Sequence, residues 1–416
     1  MTKLAPRPLP TPPGPFRPSF WRSPLRGPWL TSALGSILLV LIGIVALTGF
    51  ASHAAYMPNL PGNAIVPADR DLPLLFDWPT SPSWLYALSQ GLHTNVGLIA
   101  IPFLLAKLWS VIPRLFAWPP VTSPAQAIER LSIALLVSSA VFELATGVAN
   151  AQYWYPFKFN FVVAHYYGAI VFTASLVLHV IVKTPVIVRA YRERGVLKPL
   201  RDNLENTRPE PSGELVATDP APATMSRRGL FAFAGVGALS LLAANVGQSI
   251  GGPFRSLAFL APRREDFPVN KRAAAAGVTA DMVGPSYQLV LRNGDAVVAF
   301  SREDLLALPQ HTASLPIACV EGWSTTQEWT GVRLSDLAAR AGASEASQVL
   351  VESLQPKGVL RRASLSGDQI AAADSMLALK VNGEDLSMDH GFPARIIVPA
   401  LPGVHNTKWV GEMTFS

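Results

Sequence analysis

Long apolar stretches dominate the first 250 residues of the chain. Five of them are long enough to cross a lipid bilayer, which takes about 20 residues of helix. They cover approximately residues 30–52, 85–112, 128–150, 161–182 and 229–248. A soluble helix of such length would carry a polar stripe along one face, and these stretches carry none. The pattern predicts an all-α transmembrane bundle of four helices, followed by a fifth, anchoring helix.

From about residue 256 the apolar positions come in short segments instead. YQLVLRNG and AVVAF predict two strands around an Asn-Gly-Asp turn. SREDLLALP places a serine three residues before an aspartate at the start of a short helix, which is the capping-box pattern. LSDLAARAGA predicts a second short helix, and QVLVESL, DSMLALKVNGEDL and PARIIVPAL predict further strands. Residues 256–416 are therefore predicted to form an α+β domain.

The distribution of charge orients the apolar stretches. Lys and Arg concentrate in residues 1–29, around 107–130 and in 183–228, whereas the alternate loops hold only Arg70 and Lys158. Positive residues mark the cytoplasmic side of a membrane protein. The Pro-rich tail 1–29 and the linker 191–228 are thus predicted to be cytoplasmic, with 199–222 disordered. Five spans in the cell membrane then place the last domain outside.

Composition agrees with this organisation. The chain is 50% hydrophobic and 15% charged, which is too apolar for an ordinary soluble protein. Its net charge is +6, and the basic excess belongs to the apolar half. This distribution favours membrane topology and argues against nucleic-acid binding, which needs basic residues clustered on a folded surface. The lipid bilayer is accordingly the first predicted partner.

Four histidines lie in or beside the apolar stretches. His165 and His179 are fourteen residues apart in one stretch, close to four helical turns, so they share a face. His93 lies in the second stretch, and His53 follows the first. Imidazoles facing each other across a bundle commonly hold haem iron. The alternative is that each histidine makes a hydrogen bond between helices.

Residues 30–190 resemble the bacterial four-helix b-type cytochromes that serve membrane dehydrogenases. The resemblance implies haem b as a cofactor. His165 lies about four residues from the outer end of its stretch, and His93 lies about five residues deep if the apolar core of its stretch begins near Leu88, so the two are predicted to bind one iron between them. The family takes a second ligand set partly from the start of the first helix, where this chain has no histidine. One haem is expected, and a second, involving His53 or His179, remains open.

The chain has one cysteine, Cys319, in the segment ACVEGWS. A free thiol exported to an oxidising compartment is a liability unless it is buried or ligated. Cys319 ends an apolar strand and is followed by a turn through Gly322, which is predicted to expose the thiol at a site. A buried, inert thiol is the alternative. Thiolate suits a high-valent metal that carries oxo and further sulfur ligands.

The segments CVEGWS, HGFPARIIVP and TKW resemble the molybdopterin-binding domain of the sulfite oxidase family, over about residues 267–416. The resemblance implies a molybdenum–molybdopterin cofactor with Cys319 as the catalytic metal ligand. It also implies a set of residues that bind the pterin and its phosphate, namely Asn270, His390, Arg395, His405, Thr407 and Lys408. Arg361 and Arg362 are expected to be a solvated surface pair.

Two departures from the family concern the substrate. Sulfite-oxidising members carry an arginine shortly after the cysteine, where this chain has Val320 to Trp323. Many members also have Arg or Lys where this chain has His405 and Asn406. The site is therefore less basic than a sulfite site. CVEGW is similar to bacterial members that reduce oxidised substrates such as sulfoxides, or whose substrate is unknown.

Export of a domain loaded with cofactor poses a separate problem, because folding around the cofactor takes place in the cytoplasm. Arg227 and Arg228 precede the Gly/Ala-rich stretch 229–250 in MSRRGLFAFAG and resemble an internal twin-arginine signal. The alternative is that the pair is ordinary cytoplasmic charge.

The sequence as a whole predicts a membrane-bound oxidoreductase. Haem would pass electrons between a quinone or another membrane redox partner and the molybdenum, which would exchange an oxygen atom with a small donor or acceptor. Two rival hypotheses remain: a non-catalytic protein whose pterin domain serves assembly or partner binding, and a transporter, which the scarcity of charge within the stretches disfavours. The substrate, the direction of the reaction and the oligomeric state remain open.

Overall fold

A computed structural model describes residues 10–73, 76–210, 215–358 and 361–416. They divide into two compact units. The helical unit lies within Met1–Ala46, Val96–Asn150 and Trp154–Leu242. The mixed unit consists of Leu47–Asn95, Ala151–Tyr153 and Ala243–Ser416, so it combines the α+β domain with parts of the apolar helices.

The five predicted helices are confirmed. They are α1 (Pro28–Ala54), α2 (Leu85–Leu115), α3 (Pro124–Ala151), α4 (Phe161–Arg194) and α5 (Arg227–Ala243), and one further turn, α6 (Gly247–Ile250), follows α5. All five are long and apolar enough to cross a membrane by length and composition, with α5 and α6 counted together as the span Arg227–Ile250. They are therefore compatible with a membrane anchor.

Helix α4 shows how local sequence fixes a boundary. The Asn160 side chain accepts hydrogen bonds from the backbone N–H groups of Val162 and Val163, which caps the start of the helix. The helix runs twelve residues beyond the predicted apolar stretch and ends where Gly195 adopts a positive φ of 73°. Its basic last turn therefore extends the helix past the apolar part.

The prediction of a disordered segment at 199–222 is wrong for the residues that the structure describes there. The Glu210 carboxylate is buried and accepts a hydrogen bond from the backbone N–H of Trp29 at 2.8 Å. Asp202 pairs with Arg227, which is fully buried, at 3.1 Å. Leu215 is buried as well. These contacts all lie within the helical unit, and they order a segment whose composition alone is that of a linker.

The α+β domain contains two sheets of five strands among the described residues. One has the order β2-β1-β10-β5-β6, and the other has the order β3-β4-β7-β8, with β9 also paired to β7. The strands are β1 (Gln288–Asn293), β2 (Ala296–Ser301), β3 (His311–Ala318), β4 (Ser324–Arg333), β5 (Gln348–Ser353), β6 (Arg362–Ser366), β7 (Met376–Val381), β8 (Glu384–Asp385), β9 (Arg395–Ile397) and β10 (Val410–Phe415). Short helices α7 (Ala273–Ala276), α8 (Arg302–Ala307), α9 (Leu334–Arg340) and α10 (Gly367–Ala371) connect them.

The predicted hairpin and caps of this domain are confirmed. β1 and β2 pair in antiparallel register from Gln288–Ser301 to Asn293–Ala296. The Ser301 hydroxyl accepts from the Asp304 backbone N–H, and the Asp304 carboxylate accepts from the Ser301 backbone N–H, completing the capping box. Leu289, Val349 and Phe415 of the first sheet belong to one apolar core together with Val332, Leu377 and Leu379 of the second.

Candidate functional site

The hairpin of β3 and β4 positions the cysteine. The last pair of the ladder is Ala318–Ser324, so residues 319–323 form the connecting turn, called here the cysteine loop. The Cys319 backbone N–H donates to the Trp323 carbonyl at 2.9 Å, and the Gly322 N–H donates to the Cys319 carbonyl at 2.9 Å. Gly322 has a φ of 97°, a conformation that favours glycine. The loop is thus a tight, internally bonded turn.

A small cavity adjoins the cysteine loop. Five residues predicted separately from the sequence line it together: Cys319, Asn270, His390, Arg395 and Lys408. They come from the loop after β3, the segment before α7, the turn before β9, β9 itself and the segment before β10. The predicted site is therefore assembled in one place by the fold.

The prediction that the turn exposes the thiol is wrong, because Cys319 is only 3% exposed and packs against Trp323 and Ile317. Burial, reinforced by the Glu321 carboxylate, raises the pKa of the Cys319 thiol well above its ordinary value. The Glu321 backbone N–H donates a hydrogen bond to the sulfur, which works in the opposite direction. A bound metal would displace the proton and make the thiolate its ligand.

Two cations beside the cavity are buried without an anion. Arg395 is 4% exposed and Lys408 is 8% exposed. The guanidinium of Arg395 donates to the carbonyls of His390 and Asn406, and the Lys408 ammonium donates to the carbonyls of Lys271 and Asp389. Within the described residues neither forms an ion pair with a carboxylate. Burial lowers the pKa of Arg395 to about 9 and that of Lys408 to about 7. Such a pair is costly unless an anion joins it.

The same segment carries polar atoms that lack partners. Across the parts of the chain that the structure describes, Arg395 Nε, His405 Nε2, Asn406 Nδ2 and Thr407 Oγ1 are buried without a hydrogen-bond partner. Native proteins rarely leave buried donors and acceptors unpaired. An anionic, polar group bound in the cavity fits the unpartnered Nε of Arg395 and the uncompensated cations, whereas His405, Asn406 and Thr407 are not among the described residues that line the cavity. Burial also lowers the pKa of His405 to about 4, so its imidazole is neutral.

His390 is held in a defined orientation. Its ring stacks on Phe267 at a centroid distance of 3.7 Å. Ser387 Oγ lies 2.8 Å from Nδ1, and the Phe267 carbonyl lies 3.2 Å from Nε2. Burial lowers the pKa of His390, which keeps the ring neutral at pH 7. Asn270 lies beside it, and its side-chain oxygen accepts from the Lys271 backbone N–H.

Sequence reasoning missed a polar cluster next to the cysteine loop. The Glu321 carboxylate accepts hydrogen bonds from the Tyr153 hydroxyl and, at 2.7 Å, from the Trp323 indole N–H. The Arg263 guanidinium lies 3.9 Å from Glu321 and 4.1 Å from the Tyr153 ring centroid. Tyr153 is 168 positions before Glu321, so no local pattern signals their contact. The expected surface position of Arg362 is confirmed, because it pairs with Glu352 and its side chain is 47% exposed.

The histidines in and beside the apolar helices have partners of their own. In the helical unit, His165 Nδ1 lies 2.9 Å from Thr146 Oγ1 and 3.2 Å from the Glu143 carboxylate. In the mixed unit, His53 Nε2 lies 2.9 Å from an Asp71 carboxylate oxygen. His93 and His179 lie in α2 and α4 as predicted. The pairing of His93 with His165 stays a prediction.

Comparison with known proteins identifies the C-terminal region. The family model described as "Oxidoreductase molybdopterin binding domain" matches residues 278–416. Mitochondrial sulfite oxidase of Mus musculus is 31% identical over 147 residues, which covers 29% of this chain and 27% of that protein. The uncharacterized oxidoreductase YuiH of Bacillus subtilis is 33% identical over 123 residues, covering 29% of this chain and 61% of that protein.

Among solved structures, the sulfane dehydrogenase SoxCD of Paracoccus pantotrophus is 28% identical, covering 32% of this chain and 38% of that chain, with a TM-score of 0.29. The chain thus spans between a quarter and two thirds of the length of these relatives. Taken with the site, the family match defines a domain class. Residues 278–416 match the molybdopterin-binding oxidoreductase domain and are similar in sequence to sulfite oxidase.

Binding of the cofactor should depend on pH through Lys408. A phosphate favours the protonated amine, whereas burial gives this amine a pKa of about 7, so binding must take up a proton at higher pH. We expect the affinity of cofactor-free protein for molybdopterin to fall as the pH rises from about 6 to about 8. Quenching of tryptophan fluorescence on binding measures this affinity. Lys408→Arg, which keeps its charge across this range, should flatten the dependence. An equally steep dependence in that variant would contradict the assignment.

Proposed function

We propose that the chain is a membrane-bound molybdenum oxidoreductase. Its α+β domain would transfer an oxygen atom to or from a small substrate on the outer face of the cell membrane. Electrons would be exchanged with a membrane quinone through haem b. The observation that carries the proposal is the convergence of Cys319 with two buried cations, Arg395 and Lys408, on one cavity.

The residues present fit the molybdenum cofactor. Cys319 would supply the protein's thiolate to the metal, and Arg395 and Lys408 would neutralise the phosphate. Asn270 and the neutral ring of His390 would contact the pterin. His405 and Thr407, whose buried polar atoms lack partners among the described residues, would complete the binding segment. When bound, the cofactor supplies a two-electron centre that can carry an exchangeable oxygen atom.

The charge around the cysteine loop suggests an uncharged substrate. Glu321 stands two residues after the cysteine, within the short segment 320–323 where an arginine is expected in a sulfite-oxidising member of the family. The nearby cation, Arg263, faces Glu321 and donates to the Val269 and Asn270 carbonyls, so its charge is partly compensated. A dianion such as sulfite would meet the Glu321 carboxylate. A neutral oxide, such as a sulfoxide, fits this local charge better.

The surroundings of His165 and His93 support the proposed binding of haem. A hydrogen bond in which His165 Nδ1–H donates to the Thr146 hydroxyl, which itself donates to the Phe142 carbonyl, is the type of contact that orients an imidazole for ligation through Nε2. A glycine accompanies each ligand: a Cβ on Gly49 would lie 2.8 Å from His93 Cε1, and one on Gly147 would lie 3.4 Å from His165 Cε1. Close backbones of this kind are suited to a flat macrocycle between helices. Membrane insertion is supported by the five apolar helices and by the Lys and Arg distribution.

The proposal can be tested on purified full-length protein in detergent. A quinol analogue should reduce the haem, which shows as a b-type band in the reduced-minus-oxidised absorption spectrum. Adding a dialkyl sulfoxide under anaerobic conditions should then reoxidise it, with formation of the sulfide. Purified protein that holds molybdenum but no haem would contradict the proposed electron transfer through haem b. Protein that holds neither would favour a non-catalytic role in assembly or partner binding.

Export by the twin-arginine route makes a separable prediction, because the two arginines lie in different surroundings. Arg227 is fully buried against Asp202, whereas Arg228 is exposed. Replacing both with lysine preserves charge and should strand the outer domain in the cytoplasm, as measured by protease accessibility from outside. Arg228→Lys alone tests the signal without disturbing the buried ion pair. If the double variant is exported normally, the pair is ordinary cytoplasmic charge.

A further inference from the structure

The cysteine loop is held by residues from outside the α+β domain. The Val320 carbonyl accepts a hydrogen bond from Gln90 Nε2 at 2.7 Å, and the Gly322 carbonyl accepts from Ser249 Oγ at 2.6 Å. Gln90 lies in α2 and Ser249 in α6, and both belong to the mixed unit with the loop. Gln90 is 4% exposed. A buried donor thus contacts the carbonyl directly after the cysteine.

The orientation of the Gln90 amide is fixed by its other end. Its Oε1 accepts from Ser52 Oγ at 3.0 Å, and the same hydroxyl lies 3.2 Å from the hydroxyl of buried Tyr86. The assignment of the amide oxygen and nitrogen follows from this network, since only Nε2 can donate to the Val320 carbonyl. Gln90 therefore approaches the loop as a donor.

Helix α2 contacts the loop at a second point. A Cβ on Gly322 would lie 2.8 Å from Thr94 Cγ2, so helix and loop are in close contact there. One residue further, Asn95 Nδ2 donates to Ser249 Oγ at 3.0 Å, and that hydroxyl in turn donates to the Gly322 carbonyl. The position of the loop is thus set by one face of α2.

The peptide that Gln90 contacts is also the peptide that contacts the sulfur. The Val320 carbonyl and the Glu321 N–H belong to the same amide group, and this N–H interacts with the Cys319 sulfur. A hydrogen bond to the carbonyl polarises an amide and strengthens the bond that its N–H donates. Hydrogen bonds to a ligating sulfur tune the reduction potential of the metal in iron–sulfur and copper sites.

We propose that Gln90 is a positioning residue that tunes the molybdenum through the 320–321 peptide. The proposal rests on the proposed function in that it takes Cys319 as the metal ligand. The Gln90 amide strengthens the N–H···S bond, which withdraws charge from the thiolate and favours the reduced metal. Loss of this donor leaves a more electron-rich thiolate, which stabilises the oxidised metal and lowers the reduction potential. Loss of the Gln90 donor also removes its bond to the Val320 carbonyl, one of the bonds that hold the loop and so orient the sulfur.

The test uses Gln90→Met, which keeps approximate length and packing but has no N–H donor. Molybdenum potentials of the full-length protein are measured by redox titration monitored by the Mo(V) electron paramagnetic resonance signal. Gln90→Met should shift the potential downward and change the g values, with molybdenum content retained. The matched control is Gln248→Met, because Gln248 is 1% exposed and its amide donates to Asn245 rather than to the loop. It should match the wild type.

Two results would overturn the inference. One is a wild-type potential and signal in Gln90→Met, and the other is an equal shift in Gln248→Met. If Gln90→Met fails to fold, Ser52→Ala gives a second reading, because it removes the donor that fixes the Gln90 amide. Ser52→Ala should shift the potential in the same direction by less, and an unchanged potential there would also contradict the inference. Wild-type protein without molybdenum would instead contradict the proposed function itself.

Discussion

Cys319→Ser is expected to abolish oxygen-atom transfer while leaving the fold intact. A serine hydroxyl stays protonated at neutral pH and is a much poorer donor to molybdenum than a thiolate. The change is nearly isosteric, and the buried hydroxyl can take over the hydrogen bond from the Glu321 N–H. The free energy of unfolding should fall by at most about 1–3 kcal/mol. Turnover, circular dichroism and thermal unfolding measure the two effects separately.

The neighbouring strand residue offers a control for this variant. Ala318→Ser introduces a hydroxyl at a position that is 4% exposed, one residue before the cysteine, and leaves the thiol in place. It should lose some stability and keep measurable turnover. Undiminished turnover in Cys319→Ser would remove the ligand assignment. An equal loss in both variants would show that packing of the loop, rather than the thiolate, is responsible.

The second large effect concerns haem. His165→Ala and His93→Ala should each lose the b-type haem, because a bis-histidine iron needs both imidazoles at one level. His179→Ala should keep it if the chain binds one haem. The measurement is haem per chain by pyridine haemochrome. His311→Ala is a matched control, since His311 lies in β3 and pairs with Asp374 at 2.9 Å.

Three outcomes decide between the alternatives. Full haem in His165→Ala would contradict the pairing with His93. Two haems per wild-type chain would contradict the expected count and would bring His53 or His179 into the ligand set. His53 Nε2 contacts the Asp71 carboxylate, so ligation of iron through this nitrogen would require the carboxylate to move.

Local features of the fold could be predicted from the sequence. The five helices follow from continuous apolar stretches, and the hairpin and capping box follow from residues within a few positions of one another. The cavity-lining residues Cys319, His390 and Arg395 were predictable because each lies in a short motif with a resemblance to a known family. The fold of the domain then brings these motifs together around one cavity.

Other features depend on contacts that leave no local pattern. Gln90, Tyr153 and Arg263 reach the cysteine loop from distant segments, and none of them stands in a motif. Burial of Cys319 depends on side chains packed around the loop, so the turn alone wrongly predicted exposure. The Glu210 contact with Trp29 orders a segment whose composition is that of a linker. In each case tertiary packing overrides the local pattern.

Cys319, Arg395 and Lys408 are proposed to hold a molybdenum cofactor. The most direct measurement is elemental analysis, by inductively coupled plasma mass spectrometry, of folded full-length protein purified from cells supplied with molybdate. We expect about one molybdenum per chain, because the chain has one cysteine to ligate it. In Cys319→Ser, X-ray absorption should show the loss of the metal's cysteine thiolate ligand. Folded wild-type protein without molybdenum would contradict the account.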